Sequence, residues 1–143
     1  MILLDVGVWL AAIWGRHVHH EAAEAWFSDQ GTPLVFCRVT QMSLLRLLSN
    51  PAIMRDDALT RAECWAIMDR LLADYRVRLV GEPDHLDLAW RSLSARDDRS
   101  HKLWTDDYLA AFAMAAGCAV ATLDKAFAAR HPAVSVELIA MAG

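Results

Sequence analysis

The sequence lacks several features that would place it in other protein classes. It has only three cysteines, Cys37, Cys64 and Cys118, which are far apart and form no CxxC pair. This excludes a disulfide framework, argues against a zinc site and fits a reducing cytoplasm, so we interpret the cysteines as small core residues. No apolar run approaches the roughly 20 residues of a membrane span, and residues 1–4 lead into Asp5 without a basic leader. We therefore expect a cytoplasmic protein without a signal peptide or membrane segment.

An excess of positive charge is also missing. Fourteen Lys and Arg residues face eighteen Asp and Glu residues, which gives a net charge of −4. A free-standing electrostatic nucleic-acid binder usually has a broad basic face, so this class is disfavoured. A nuclease remains compatible, because bound metal cations can neutralise acidic groups at a phosphate. Apolar residues make up 56% of the 143 residues, which is enough to build the core of one domain spanning residues 1–143.

Short apolar runs alternate with helical patterns along the whole chain. The runs are rich in Val, Leu and Ile and predict strands at residues 1–5, 33–37, 77–81, 118–123 and 134–139. Helical periodicity predicts helices at residues 8–14, 20–28, 40–49 and 84–95, one that Thr60 and Glu63 start as a capping box, and one from Thr105 as N-cap to Gly117. This alternation predicts an α/β fold, in which a parallel sheet of four to five strands lies between helices.

Acidic residues follow two of these predicted strands. Asp5 comes directly after the first strand and Asp124 after the fourth, while Asp106 and Asp107 lie in the first turn of the helix before that strand. Ligands of open parallel sheets bind at the carboxyl ends of the strands. Each acid also has a purely structural interpretation, as a helix cap or as a partner of the helix dipole.

Gathering these acids at one edge would have an electrostatic cost. Two carboxylates 4 Å apart repel by about 4 kcal/mol at an effective dielectric near 20, so a cluster needs a cation or bound protons. Hard oxygen ligands favour Mg²⁺ or Mn²⁺ over zinc. Such a metal can activate water and hold a phosphodiester.

Four separated segments resemble those of one family. "MILLDVGVWLA", "TQMSLLRLLSNP", "WTDDYLAAFA" and "ATLDKAF" are together similar to PIN-domain ribonucleases of the VapC toxin type, in the family's order and over nearly the whole chain. The resemblance implies a three-layer α/β/α fold, Mg²⁺ or Mn²⁺ held by acids, and cleavage of RNA. It also implies a homodimer and a cognate antitoxin protein that silences the toxin.

The resemblance places the family's acids on particular residues of this chain. Its first, third and fourth acids fall on Asp5, Asp106 and Asp124, with Asp107 as an additional neighbour. The second acid, commonly a Glu, falls on Gln41, whose amide oxygen can coordinate a metal weakly or hold a water but contributes no charge. Gln41 and Asp107 are therefore additional candidate metal ligands, with Asp107 as the residue that can compensate for the missing acid. Relatives often carry a small polar residue where this chain has Gly7, so a hydrogen bond that supports the metal is lost.

Further residues are candidate contacts for RNA or for a partner. Arg46 lies among leucines and is predicted to pair with an acid, to extend to solvent or to contact phosphate. Trp104 is a candidate for base stacking. His20 belongs to an H-x-H-H cluster that we expect in an exposed region near the active site. A hydrophobic surface for the antitoxin or a second subunit is predicted at Trp9, Ile13 and Trp14.

Rival functions fit the residues less well. A phosphoacceptor receiver domain needs paired acids after the first strand, where Asp5 stands alone. No GxGxxG follows that strand, and no nucleophile elbow is present. The remaining alternative is a PIN-like module that binds RNA or an antitoxin without cleavage, because Gly7 and Gln41 depart from the family pattern. We favour an active nuclease, since Asp5, Asp106 and Asp124 are all present.

Overall fold

A computed structural model describes residues 1–139 of the chain. Within this range the strands are β1 (Ile2–Leu4), β2 (Leu34–Phe36), β3 (Val77–Leu79), β4 (Ala119–Thr122) and β5 (Val136–Leu138). The helices are α1 (Val6–Ile13), α2 (His20–Asp29), α3 (Arg38–Leu48), α4 (Pro51–Met54), α5 (Arg61–Ala73), α6 (Leu86–Ser94), α7 (Trp104–Ala116) and α8 (Lys125–Arg130), with a 3₁₀ turn at Arg55–Asp57. No helix in residues 1–139 is long and apolar enough to cross a membrane.

The five strands form one parallel sheet in the order β3-β2-β1-β4-β5. From the central β1 the chain builds outward through β2 and β3, and then crosses to the other side of β1 for β4 and β5. The strand order therefore reverses between β1 and β4. A crevice opens at such a point beyond the carboxyl ends of the strands, and ligands of α/β sheets bind there.

Helices cover both faces of the sheet, which confirms the three-layer α/β/α architecture. Alternate residues of each strand enter opposite cores: Ile2 and Leu4 pack on the side of α1, α3 and α5, whereas Leu3 packs on the side of α6, α7 and α8. Trp9 fills the first core and stacks on Phe36 at a centroid distance of 3.9 Å. Burial on both faces explains why the central strands β1, β2 and β4 are almost entirely apolar. The edge strands β3 and β5 are partly exposed and contain Arg78 and Glu137.

Several element boundaries differ from the sequence-based prediction by one or two residues, and α1, α3 and α7 all begin earlier than predicted. Thr105 is not the N-cap of α7: that position is Leu103, whose carbonyl accepts the first helical hydrogen bond from the Asp107 N–H at 2.9 Å. The helix begins earlier because Trp104 packs against Trp90, whose indole N–H donates to the Trp104 carbonyl at 3.2 Å. The predicted helix at residues 40–49 likewise begins earlier, at Arg38. Helices α4 and α8 were not predicted.

Candidate active site

Asp5 lies at the carboxyl end of the central strand, and its carboxylate is not used as a helix cap. Its backbone carbonyl starts α1 by accepting from the Val8 N–H at 3.0 Å, but its side chain makes no capping hydrogen bond. Instead, Asp5 Oδ2 accepts from the Thr122 hydroxyl on β4 at 3.2 Å. The capping interpretation is therefore wrong for Asp5, and its carboxylate points across the crevice between β1 and β4.

Thr122 also fixes the second acid. Its Oγ1 accepts from the Asp124 N–H at 3.1 Å, so one buried hydroxyl orders both the side chain of Asp5 and the backbone of Asp124. Asp124 Oδ1 accepts from the Ala126 N–H at 2.9 Å, which caps α8 as the structural interpretation predicted. Its second oxygen, Oδ2, lies 3.5 Å from Arg130 Nη2.

Asp106 forms the shortest ion pair of the site. Arg130 Nη2 donates to Asp106 Oδ2 at 2.6 Å, and the same nitrogen lies between Asp106 and Asp124. The side chains of Arg130, Asp106 and Asp124 are 31%, 25% and 49% exposed, so solvent reaches all three. A guanidinium thus supplies the positive charge that the clustered carboxylates require.

Asp107 is engaged by a different partner. Its Oδ1 lies 2.8 Å from Nε2 of the buried His131, whose Nδ1 lies 3.0 Å from the Phe127 carbonyl. Both neighbours of the imidazole are acceptors, and the tautomer of the ring decides which of them receives its N–H. Asp107 therefore ties the first turn of α7 to the end of α8, next to the ion pair of Asp106 and Arg130.

The electrostatics of Asp5 and Asp106 show that the acids share one environment. Burial raises the pKa of Asp5, and the charges of Asp106 and, more weakly, Asp124 raise it further against the Thr122 hydrogen bond. Burial also raises the pKa of Asp106, with Asp124 adding to the shift and Arg130 opposing it. The charges of Asp5, Asp106 and Asp124 thus lie close enough to influence one another.

The chemistry of these donors fits Mg²⁺ or Mn²⁺, because all are hard carboxylate oxygens whose charges repel one another. Within residues 1–139, no three His, Cys, Asp or Glu side chains are arranged to hold a metal ion. The guanidinium of Arg130 lies between two of the acids. A metal that used both Asp106 and Asp124 would have to displace it.

Gln41 and Gly7 occupy the neighbouring helices. Gln41 is 4% exposed, and its Oε1 accepts from Arg38 Nη1 at 2.6 Å in the first turns of α3. This helix follows β2, the neighbour of β1, so it starts at the same edge of the sheet. At Gly7 an added Cβ would meet nothing within 4 Å, so the position has room for a side chain.

The residues predicted to contact RNA or a partner differ in exposure and in the contacts that they already make. Arg46 is exposed and makes no ion pair within the described part of the chain; its predicted acid pairing is wrong, because its side chain extends to solvent. His20 already contacts the Ala11 carbonyl at 2.7 Å and Glu24 at 3.1 Å. Trp104 is 55% exposed. Trp9 is fully buried, so it cannot belong to the predicted partner surface.

Sequence reasoning missed three residues that organise the site: Thr122, Arg130 and His131. Only Thr122 had a signal, because it lies in the "ATLDKAF" segment. Cys37 and Cys64 are buried and Cys118 is partly buried, all as free thiols, in agreement with their interpretation as core residues.

The chain belongs to the PIN domain family, whose model matches residues 2–131. It is 41% identical over 146 residues to Ribonuclease VapC41 of Mycobacterium tuberculosis, with 98% of this chain and 99% of that protein covered. Ribonuclease VapC31 of the same organism is 35% identical over 132 residues, with 90% and 92% covered.

Solved structures share the fold. Mycobacterium tuberculosis VapC20, described as a Sarcin-Ricin loop cleaving toxin, superposes with a TM-score of 0.66 at 19% identity, covering 90% of this chain and 94% of that one. VapBC2 from Rickettsia felis, bound to a DNA fragment from the VapBC2 promoter, gives a TM-score of 0.67 at 13% identity, covering 96% and 98%. At these identities the likeness concerns the fold alone.

Proposed function

We propose that this protein is a metal-dependent endoribonuclease and the toxin of a type II toxin–antitoxin pair. The observation that carries the proposal is the cluster of Asp5, Asp106 and Asp124 where the strand order of the sheet reverses. The ribonuclease names of relatives that match almost the whole chain support RNA as the substrate.

In this proposal Asp5, Asp106 and Asp124 hold one or two Mg²⁺ or Mn²⁺ ions, directly or through water. Such an ion, when bound, lowers the pKa of water and stabilises charge on a phosphodiester. Thr122 orients Asp5 through its hydroxyl, and Asp107 with His131 fixes the helix that carries Asp106. Arg130, once separated from the acids, is placed to donate to a phosphate oxygen.

Gln41 and Asp107 have secondary roles in this arrangement. Gln41 offers an amide oxygen in place of a carboxylate, so it can orient a water without adding charge. Asp107 is not free to ligate through Oδ1 while His131 holds that oxygen. We infer that Asp107 positions Asp106 rather than replacing the missing acid.

The partners follow from the same family membership. We infer that a cognate antitoxin covers the acidic site; the shared fold with the VapBC2 structure supports a partner of this class. We also infer a homodimer and a cytoplasmic location, the second because all three cysteines are free thiols.

Two observations favour a second function, a module that binds RNA or an antitoxin without cleavage. Arg130 bridges two of the three acids, and Gln41 replaces a charged ligand. If these contacts prevented metal binding, the protein would keep its surface for partners but would not hydrolyse RNA.

The test is cleavage of total RNA by purified, antitoxin-free protein with Mg²⁺, Mn²⁺ or EDTA. We expect discrete fragments that require the metal and that disappear in Asp5→Asn. Asp69→Asn, on the exposed side of α5, is the matched control and should cleave like the wild type. Folded protein that cleaves nothing with either metal would reject the nuclease and support the binding module.

A further inference from the structure

A polar cavity of about 630 Å³ lies beside the acid cluster. It opens between the loop that joins α6 to α7 and the end of α8, and Asp107, Arg130 and His131 line the wall that it shares with the site. The cavity therefore adjoins the acids, where the scissile phosphate lies in the proposed function.

The lining is basic although the whole chain is acidic. Arg96, Arg99, Arg130 and His101 face the cavity with two carboxylates. Both carboxylates have partners inside the protein: Asp98 Oδ1 accepts from the Ser100 N–H at 3.0 Å, and Asp107 contacts His131. Arg96 and Arg99 thus present guanidinium groups that form no ion pair within residues 1–139, and guanidinium groups suit phosphate oxygens.

An exposed aromatic ring stands on the same wall. Trp104 is 55% exposed, and an edge-to-face contact with Trp90 at 6.2 Å supports its ring. Trp90 in turn packs on Tyr108 at 5.4 Å. A large ring that is held in place and open to solvent is suited to base stacking, which does not depend on the identity of the base.

We propose that this cavity binds one unpaired nucleotide next to the scissile bond, with its base on Trp104 and its phosphate on Arg99. The inference rests on the proposed ribonuclease function and adds a base-binding residue and a phosphate-binding residue beside its site. The volume lies within the range of small-ligand pockets, roughly 300–1,000 Å³, and admits a nucleotide but not a paired helix.

Binding in EDTA tests this without cleavage. We measure fluorescence anisotropy of a short labelled single-stranded RNA and of a blunt duplex of the same sequence. Trp104→Ala should weaken single-strand binding about tenfold, and Trp104→Phe should restore most of it. Arg99→Gln should lower the slope of log K against log salt by about 1. The controls are Trp65→Ala and Arg61→Gln, since both side chains line a separate cavity near α3 and α5.

The subsite would be rejected if Trp104→Ala bound like the wild type or lost no more than Trp65→Ala, or if the duplex bound as tightly as the single strand. These outcomes are separate from those of the cleavage assay. If the wild type cleaves RNA but Trp104→Ala binds RNA normally, only the subsite is rejected. If Trp104→Ala and Arg99→Gln weaken binding as expected but the wild type cleaves no RNA, the subsite stands and the nuclease is rejected.

Discussion

Arg130 offers the sharpest test of how the acid site works. Its guanidinium lies 2.6 Å from Asp106 and 3.5 Å from Asp124, where it neutralises two carboxylates. If a divalent cation uses the same acids, the two cations compete. Replacing Arg130 by Gln should therefore destabilise the metal-free protein and at the same time tighten its binding of Mn²⁺.

The size of the effect follows from distance and exposure. Unit charges 4 Å apart attract by about 4 kcal/mol at an effective dielectric near 20, but measured exposed pairs give about 0.2–1 kcal/mol each. With side chains 25–49% exposed, we expect a loss of about 1–2 kcal/mol. For a domain of this size, that lowers Tm by about 3–7 °C without metal. The same free energy tightens Mn²⁺ binding roughly 5–30-fold.

Calorimetric titration with Mn²⁺ and thermal denaturation in EDTA measure both quantities. The matched control is Arg16→Gln, because Arg16 pairs with Asp57 at 3.5 Å and is 74% exposed; it should change neither. Arg130→Lys keeps the charge and should stay close to the wild type in Mn²⁺ affinity. Unchanged or weaker Mn²⁺ binding by Arg130→Gln would refute the competition. Slower RNA cleavage despite tighter metal binding would show that Arg130 also holds the phosphate.

Three other changes test the remaining parts of the site. Asp5→Asn should raise Tm at pH 7 without metal, because burial and the charge of Asp106 disfavour the Asp5 carboxylate. The same causes raise the pKa of Asp5, so the difference in Tm between variant and wild type should disappear as the pH falls and Asp5 becomes protonated. Thermal melts of both proteins across pH measure this difference. Thr122→Val removes the hydroxyl that contacts Asp5 and Asp124. It should lower the free energy of unfolding in urea by about 1–3 kcal/mol and weaken Mn²⁺ binding, whereas Thr122→Ser should keep the stability and the Mn²⁺ affinity of the wild type. Gln41→Glu should tighten Mn²⁺ binding by titration and increase cleavage, and unchanged affinity would remove Gln41 from the metal site.

The alternation of strands and helices was predictable because local pattern determines it. Strands such as Ile2–Leu4 are buried on both faces, and only continuous apolar residues suit that environment. The boundary of α7 was not predictable, because a capping preference of about 1 kcal/mol at Thr105 competes with the packing of Trp104 on Trp90. Secondary-structure ends are set by such tertiary contacts.

Local sequence pattern is enough to place Asp5 and Asp124 directly after buried parallel strands, and therefore at one edge of the sheet. Their surroundings depend on contacts between elements that are distant in the chain. Thr122 reaches Asp5 across 117 residues, and Arg130 reaches Asp106 across 24. These contacts depend on the order of β1 and β4 in the sheet and on the direction of α8, and no local periodicity encodes either. Strand ends place the acids, whereas the packing of distant elements determines which cation lies between them.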